Sequence, residues 1–226
     1  QNHGLLSVND RPDWYVIKGG SKTYAAALTA SFKDKIRLSS PVEKIQRTDN
    51  GVVITSHRGE EHFDAVFMAS HSDQALAMLS DPSAAEREVL GAIAYQDNAV
   101  LLHTDASVMP VRKRAWAAWN YHLLDAEQGR VPVTYNMNIL QGFDCPEQFC
   151  VTLNNSQAID QSKVLKRMHY QHPVYTPESV AAQARQAEIN TGRTFYCGAY
   201  WRYGFHEDGV VSALDALEHF KQRFSV

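Results

Sequence analysis

Cysteine and long hydrophobic runs are both scarce in this 226-residue chain, which has three cysteines, Cys145, Cys150 and Cys197. An odd number of cysteines in a chain of this length does not make a disulfide framework, and it indicates free thiols in a reducing compartment. No apolar run approaches the roughly 20 residues that span a bilayer, and the polar start lacks the apolar core of a secretory signal. We therefore expect a cytoplasmic protein without an integral membrane segment.

An excess of charge of either sign is also missing. The formal net charge is −3 and charged residues make up 21% of the chain, while the tightest basic cluster, Arg112–Arg114, is three residues long. This charge distribution gives no reason to expect binding to nucleic acid or to an anionic membrane. With 44% hydrophobic residues, the composition is that of a globular chain with one large domain or two small ones.

Common signatures of phosphate, hydrolase and metal sites are absent. Gly19-Gly20-Ser21 is not followed by the G-K-[ST] of a P-loop, and no G-x-S-x-G occurs. Cys145 and Cys150 form a C-x4-C without the second pair that a zinc site needs. In His206-Glu207-Asp208 the consecutive side chains diverge, so we expect Glu207 or Asp208 to cap a helix rather than to bind a metal. The sequence therefore predicts no metal site.

The predicted helices and strands follow one another in three stretches of the chain. Helix patterns cover 22–32, 71–79 and 83–93, and a three-stranded meander with turns at Asn50-Gly51 and Arg58-Gly59 lies between the first two, ending in a strand at 65–69. Tyr15–Lys18, with the preceding tryptophan, is predicted as a further strand. Four strand patterns then follow without helices, at 98–105, 115–123, 131–140 and 148–154. A helix pattern at 177–189, a short strand and a final helix end the chain.

This order of elements predicts the fold class and two lobes. Strands in series without helices imply an antiparallel sheet, while alternating strands and helices imply an α/β arrangement. We therefore expect an α/β chain (α+β by strict count), with one lobe from residues 1–90 and 176–226 and an antiparallel lobe from residues 91–175.

Two groups of residues are candidate binding sites. In YCGAYWRYGFHEDGVV a strand stops at Gly198 and a helix follows an aromatic loop, so amide groups of Gly209, Val210 and Val211 are predicted to donate to a ligand oxygen near the positive end of the helix dipole. Aromatic and amide residues crowd the antiparallel region, and they form either a substrate wall or ordinary strand alternation with one face in a core. The candidate substrate residues are Trp119, Tyr121, Tyr135 and Asn136.

Two separated segments resemble the flavin-containing amine oxidases and their relatives, the phytoene desaturases and protoporphyrinogen oxidases. The first is IKGGSKTYAAAL followed by the meander and its final strand, and the second is TFYCGAYWRYGFHEDGVVSALDAL. The phrases NHGLL, RPDW, WAAWNY and TYNMN are similar to a bacterial subgroup of predicted NAD/FAD-binding, amine-oxidase-like proteins. The resemblance covers nearly the whole chain.

The resemblance implies FAD as cofactor and gives roles to particular residues. It implies that the Val42 backbone meets the adenine, that Gly198 and Ala199 lie by the ribityl–pyrophosphate, and that the amides of Gly209–Val211 lie near the flavin ring. The sequence departs from the family where Ala199-Tyr200 replaces an acidic or threonine residue. No motif assigns a lysine or any other catalytic residue.

The resemblance also implies an oxidoreductase that transfers hydride to flavin from a C–N or C–C bond of an amine or hydrophobic substrate. The family's G-x-G-x-x-G fingerprint is missing from the 226 residues, so we expect a C-terminal portion that binds FAD weakly or not at all in isolation. One alternative is a non-catalytic module that binds a lipid, another small molecule or a protein. Another is that a partner chain supplies the Rossmann segment.

Overall fold

The computed structural model describes Asn9 and residues 15–124 and 129–225, and this part of the chain contains ten β-strands and seven α-helices. The strands are Val42–Arg47 (β1), Val52–Ser56 (β2), Gly59–Phe63 (β3), Val66–Met68 (β4), Tyr95–His103 (β5), Trp119–Tyr121 (β6), Val133–Asn136 (β7), Cys150–Leu153 (β8), Val164–Pro173 (β9) and Thr194–Tyr196 (β10). The helices are Ser21–Thr29 (α1), Ser72–Met78 (α2), Ala84–Gly91 (α3), Met137–Gln141 (α4), Pro177–Gln183 (α5), Gln186–Ile189 (α6) and His206–Phe224 (α7).

The chain divides into two compact units, residues 1–94 with 173–226 and residues 95–172. The first unit contains an antiparallel three-stranded sheet, β1-β2-β3, and a parallel pair, β10-β4. The second contains a five-stranded sheet of order β6-β7-β8-β5-β9. This combination of helices with parallel and antiparallel strands confirms the α/β (α+β) class. The motifs NHGLL and RPDW lie outside the described residues, and Tyr15–Lys18 is not a strand.

The predicted meander is confirmed for β1 to β3, but the strand that was expected to end it is β4, which pairs in parallel with β10. The first turn of the meander is also built differently. Neither Asn50 nor Gly51 has the positive φ that a tight Asn-Gly hairpin turn would give. Glycine is needed at position 51 for space, because a Cβ there would lie 2.5 Å from the Phe63 carbonyl oxygen in the neighbouring strand. The second turn does use a positive φ, at Gly59.

A buried ion pair joins three elements of the first unit. The Arg47 guanidinium on β1 donates to both carboxylate oxygens of Glu86 on α3, at 2.6 and 3.0 Å. Tyr196 on β10 donates its hydroxyl to the same carboxylate at 2.6 Å. Burial alone would raise the pKa of Glu86, but hydrogen bonds from Arg47, Tyr196 and the Ser83 amide outweigh it and lower the pKa. Glu86 is therefore a buried but fully hydrogen-bonded carboxylate.

The sheet of the second unit differs from its prediction at two places. The strand predicted at 131–140 is wrong beyond Asn136, because the Asn136 side chain accepts the Ile139 amide at 3.1 Å and caps α4. The strand β9 was not predicted at all. Most of its residues are exposed, so its sequence lacks the alternation of apolar and polar residues that reveals a half-buried strand.

Candidate functional site

The junction between β10 and α7 lies at one edge of the parallel pair. Because β4 and β10 run parallel with Met68 opposite Tyr196, the residues that follow both strands meet at the carboxyl edge of the pair. Ser70 follows β4 there, and Gly198 follows β10. Crevices at the carboxyl ends of parallel strands are the usual ligand sites of open α/β sheets. The sequence-predicted junction therefore occupies a position suited to a ligand.

Gly198 has a conformation and surroundings that require glycine. Its φ is 155°, and a Cβ at this position would lie 2.4 Å from Cε1 of Tyr200. Its amide donates to Ser212 Oγ at 2.9 Å, and Ser212 Oγ donates to the Gly209 carbonyl oxygen at the same distance. The fully buried Ser212 thus fixes the loop after β10 against the first turns of α7.

Helix α7 begins at His206, which is earlier than the sequence indicated. The Gly209 amide donates to the Phe205 carbonyl oxygen at 3.2 Å, so its predicted role as an unpaired donor is wrong. The groups without an acceptor inside the helix belong to its first turn, which starts at His206. Asp208 acts as a cap, as predicted, but its Oδ2 accepts the amides of Phe205 at 2.9 Å and of Tyr203 at 3.2 Å.

Three of the six predicted cofactor residues come together. A Cβ added to Gly209 would lie 3.9 Å from Ala199 Cβ, and Ser212 joins Gly209 to Gly198. Successive helix positions turn by about 100°, so Val210 and Val211 project on flanks other than that of Gly209, and Val210 is 55% exposed.

Val42 lies apart from these residues in sequence and in sheet. It starts β1, next to an interruption of the register with β2 between Val42 and Lys44. Its predicted contact with an adenine stays a prediction, as do the ligand contacts of the other five residues.

Three of the four predicted substrate residues share one face of the second unit's sheet. Trp119 is opposite Tyr135 across β6 and β7, their ring centroids are 6.1 Å apart at 79°, and Tyr121 follows two positions after Trp119. Asn136 points to the other face, where it is fully buried and caps α4. Asn136 is therefore not part of the predicted aromatic wall, because adjacent residues of a strand point to opposite faces.

The wall continues across four strands as a face of apolar and aromatic side chains. Residues directly opposite each other share a face, and the registers place eight apolar or aromatic residues together. This aromatic face consists of Trp119, Tyr121, Val133, Tyr135, Val151, Leu153, Val100 and Leu102. Trp119 is 43% and Tyr121 61% exposed, and burial raises the pKa of Tyr135. The face can thus contact an uncharged, hydrophobic ligand.

Residues 4–114 match the family model of the flavin containing amine oxidoreductases. Over these residues, just under half of the chain, the sequence is similar to the flavin containing amine oxidoreductases. No curated protein sequence matches the chain significantly.

Solved structures with the fold of this chain include a CLA-producing fatty acid isomerase from P. acnes, at 16% identity and a TM-score of 0.57 over 89% of this chain and 52% of that one. Putrescine oxidase bound to putrescine is similar at 10% identity and a TM-score of 0.57, over 89% of this chain and 53% of that one. Cyclohexylamine oxidase from Brevibacterium oxydans is similar at 14% identity and a TM-score of 0.55, over 88% and 53% of the two chains. The chain thus spans about half the length of these structures.

The residues at the junction between β10 and α7 fit one end of a flavin cofactor. Small residues line the carboxyl edge of the parallel pair, and the 19-residue helix α7 begins there with its positive dipole end. Two acidic residues, Glu207 and Asp208, lie in the first turn of α7, and Asp208 is occupied by its capping bonds. The glycine-rich fingerprint that would hold a pyrophosphate is not part of the 226 residues.

The buried face of the second unit's sheet carries a line of hydrogen bonds that the sequence did not reveal. His103 Nε2 lies 2.8 Å from Thr152 Oγ1, Thr152 Oγ1 lies 2.7 Å from Thr134 Oγ1, and Thr134 Oγ1 lies 2.7 Å from His122 Nε2. The Asp105 amide donates to His103 Nδ1 at 3.1 Å, so neutral His103 carries its proton on Nε2. Each hydroxyl then donates onward, and His122 Nε2 is the final acceptor.

This line of hydrogen bonds, the His–Thr ladder, is structural, because its side chains bond to one another on the buried face of the sheet. Burial lowers the pKa of His103, although the nearby Asp105 opposes it, and burial also lowers the pKa of His122. Both imidazoles are therefore held in the neutral form that the ladder requires. Thr134 and Thr152 are aligned by the register of β7 and β8. A single sequence does not fix that register.

The remaining features considered in the sequence were the cysteines, the candidate metal ligands and the apolar segments. Cys150 is buried, and burial with the nearby Asp105 charge raises its thiol pKa to about 11. Among the described residues, no three His, Cys, Asp or Glu side chains are grouped so that they could hold a metal ion. Over the same residues, no helix has the length and apolar character needed to cross a membrane.

Proposed function

We propose that the chain is part of a FAD-dependent oxidoreductase that transfers hydride from a C–N or C–C bond of its substrate to the flavin. The junction at the carboxyl edge of the parallel pair carries this proposal, because it brings Gly198, Ala199 and Gly209 together at the start of α7. FAD supplies the hydride acceptor, and the protein binds it, orients it and excludes water.

Each residue of the junction has a part in this proposal. Gly198 and Ala199 leave room beside the ribityl chain, and the first-turn amides of α7 face the ring edge that becomes negative on reduction. Ser212 keeps the loop and the helix in register through its two 2.9 Å hydrogen bonds. Val42 at the start of β1 meets the adenine through its backbone. Val210 and Val211 contribute through the helix start rather than through their side chains.

The aromatic face favours a hydrophobic substrate. Its eight residues include no anion that could pair with an ammonium group, and they suit a hydrocarbon chain or an uncharged ring. Solved structures with this fold include a fatty acid isomerase as well as putrescine oxidase and cyclohexylamine oxidase, so the fold alone accommodates either class. We therefore place oxidation at a C–C bond of a hydrophobic substrate ahead of oxidation of a charged amine.

In this proposal residues 1–90 and 176–226 form the partial FAD-binding lobe, and residues 91–175 form the substrate-binding lobe. The protein works in the cytoplasm on a small molecule, and the rest of the flavin site comes from a Rossmann segment outside the 226 residues.

The flavin part is tested by titrating FAD with the chain and following the visible flavin absorption. We expect weak, saturable binding that does not survive desalting. Gly209→Leu should abolish the spectral change, because its side chain extends toward Ala199. Ala213→Leu places the same leucine side chain at an exposed position of α7 and should bind like the wild type. Equal spectral changes for all three proteins would contradict the proposed site, and tight FAD retention would contradict the need for a further segment.

The second candidate is a non-catalytic module that binds a hydrophobic small molecule without a cofactor. The missing glycine-rich fingerprint favours it. Oleate binding can be followed by the quenching of tryptophan fluorescence, in the chain alone and with Trp119→Lys. Oleate binding that depends on Trp119, together with no spectral response of FAD, would support this candidate over the flavoenzyme. FAD binding that depends on Gly209 would eliminate it.

A further inference from the structure

A cavity of about 560 Å³ lies between α7 and the helices α5 and α6. All the residues of its wall belong to the stretch 180–219 of the first unit. With a rise of about 1.5 Å per residue, Asp215 and His219 in this wall lie about 14 and about 20 Å along α7 from His206, where the helix begins. The cavity is therefore separate from the end of α7 at which the flavin is proposed to bind.

Two glutamine side chains hold the wall of this cavity in place. Gln183 on α5 donates its side-chain amide to the carbonyl oxygens of Tyr200 at 2.8 Å and Arg202 at 2.6 Å. Gln186 on α6 donates in the same way to the carbonyl oxygen of Tyr196 at 2.9 Å. These bonds tie both helices to the loop and the strand that precede α7, so the cavity is preformed, as small-molecule sites usually are.

Two ring nitrogens of the wall residues lack hydrogen-bond partners. Trp201 lines the cavity and is 4% exposed, and its Nε1 is buried without a partner among the described residues, as is Nδ1 of His219. By contrast, Trp116 Nε1 donates to the Pro110 carbonyl oxygen at 2.7 Å. An indole N–H can only donate, and a buried donor without an acceptor costs free energy. A ligand oxygen beside Trp201 would remove that cost.

The charges of the wall favour an organic cation. Asp215 pairs with Arg202, with 3.6 Å between Oδ2 and Nη2. Glu218 accepts from Gln222 Nε2 at 3.3 Å and has no cationic partner in the part of the chain that the structure describes. Within the same residues, the acidic side chains and His219 do not group closely enough to hold a metal ion. Two carboxylates against one guanidinium therefore suit an ammonium group, which donates charge-assisted hydrogen bonds.

We propose that this cavity binds a small aliphatic amino alcohol. The ammonium group of the ligand pairs with Glu218 and Asp215. Its hydroxyl accepts from Trp201 Nε1 and donates to His219 Nδ1, because a hydroxyl can do both at once. Its methylene chain lies against the apolar part of the wall, which consists of Val180, Ala184 and Ala187.

This inference does not depend on flavin, and nuclear magnetic resonance of the nitrogen-labelled chain without FAD tests it at Trp201 itself. The chain has four tryptophans, and the indole N–H signal that Trp201→Phe removes belongs to Trp201. Aminohexanol should move this signal downfield, as expected of a newly hydrogen-bonded N–H, and the shift should saturate at millimolar concentration. Hexylamine lacks the hydroxyl and hexanol lacks the ammonium group, so each should bind roughly tenfold more weakly.

Two pairs of variants separate binding from folding. Glu218→Gln keeps the shape of the side chain but removes its charge, so it should weaken aminohexanol binding roughly tenfold. Glu60→Gln removes an exposed charge on β3 and should leave binding unchanged. Trp201→Phe should melt close to the parent protein because the lost N–H has no partner. Trp116→Phe should melt at a lower temperature because its N–H has one.

Three results would contradict this proposal. A Trp201 signal that none of the three compounds moves would show that water alone occupies the cavity, and it would overturn the inference. Equal affinities for aminohexanol, hexylamine and hexanol would reduce the site to apolar contact. Equal weakening by Glu218→Gln and Glu60→Gln would reduce the binding to an effect of net charge, and either of these results would overturn the proposed ligand class.

Discussion

The two sheets with exposed apolar surface differ in where their polar groups lie. In the first unit, the parallel pair buries apolar side chains such as Met68 and Phe195. In the second unit, the buried face is polar, with Asn120, Thr134, Thr152 and His103, and the apolar residues occupy the half-exposed face.

This difference separates an apolar core from a layer whose polar side chains bond to one another. In the five-stranded sheet, the polar side chains of the buried face are paired with each other, which leaves the apolar face for contact with a ligand. The second unit should therefore respond to a hydrophobic small molecule.

The largest effect is expected from Glu86→Ala in the first unit. It leaves the Arg47 guanidinium and the Tyr196 hydroxyl without their shared acceptor, and losing one partner of a buried pair costs about 3 kcal/mol. The free energy of unfolding in urea measures the loss. Glu188→Ala removes an exposed carboxylate that also pairs with Arg185 and should leave stability unchanged. Equal effects of the two substitutions would contradict the buried network.

Thr134→Val should have the next largest effect, in the second unit. It conserves shape but removes the middle hydroxyl of the His–Thr ladder, so His122 Nε2 loses its donor and the Thr152 hydroxyl loses its acceptor. We expect a loss of about 1–3 kcal/mol in unfolding free energy. Thr55→Val at a half-buried position of β2 is the matched control. A similar cost at both threonines would argue against the ladder.

Asn136 and Trp119 should separate stability from ligand binding. Asn136→Ala removes the cap of α4 and should cost about 1 kcal/mol, while oleate binding stays unchanged. Trp119→Ala should weaken oleate binding with little change in unfolding, because its side chain is 43% exposed. Weaker oleate binding by Asn136→Ala, together with unchanged binding by Trp119→Ala, would instead assign Asn136 and not the aromatic face to the substrate site.

Acidification should lower the stability of the second unit by less than the substitutions described above. Burial lowers the folded-state pKa of His103 and His122 from their ordinary value of 6.5, so the unfolded chain binds protons more readily. Their contribution is complete above that pH and is lost as the pH falls below it. Urea unfolding at about pH 8 and about pH 5.5 measures this difference. His122→Gln should reduce the slope, and an unchanged slope would show that His122 does not contribute.

The smallest effect should be a gain in stability from Gly209→Ala. Alanine is favoured over glycine within a helix by about 0.5–1 kcal/mol, and the added Cβ would be in ordinary contact with Ala199 at 3.9 Å. We expect higher thermal stability together with weaker FAD binding. A stabilised variant with unchanged FAD binding would assign Gly209 no part in the flavin site.

Local sequence patterns predicted where the helices and strands lie better than they predicted which strands pair with each other. The glycine spacing around Tyr196–Leu217 located the junction, and the period of two linked Trp119 with Tyr121 because alternation is a local property. The same alternation explains why the prediction for Asn136 was wrong. Asn136 is adjacent to Tyr135, so it points to the other face of the sheet. The His–Thr ladder depends on which strands pair, because Thr134 on β7 is opposite Thr152 on β8, and a single sequence does not contain that pairing.

The central claim is that the residues around Gly198, Ala199 and Gly209 bind flavin. Amide hydrogen exchange of the chain, measured by mass spectrometry with and without excess FAD, tests this claim most directly because it locates the contact. We predict slower exchange in peptides spanning 198–211 and unchanged exchange in β6 and β7. Protection elsewhere with none at 198–211, or no protection at any FAD concentration that perturbs the flavin spectrum, would contradict the account.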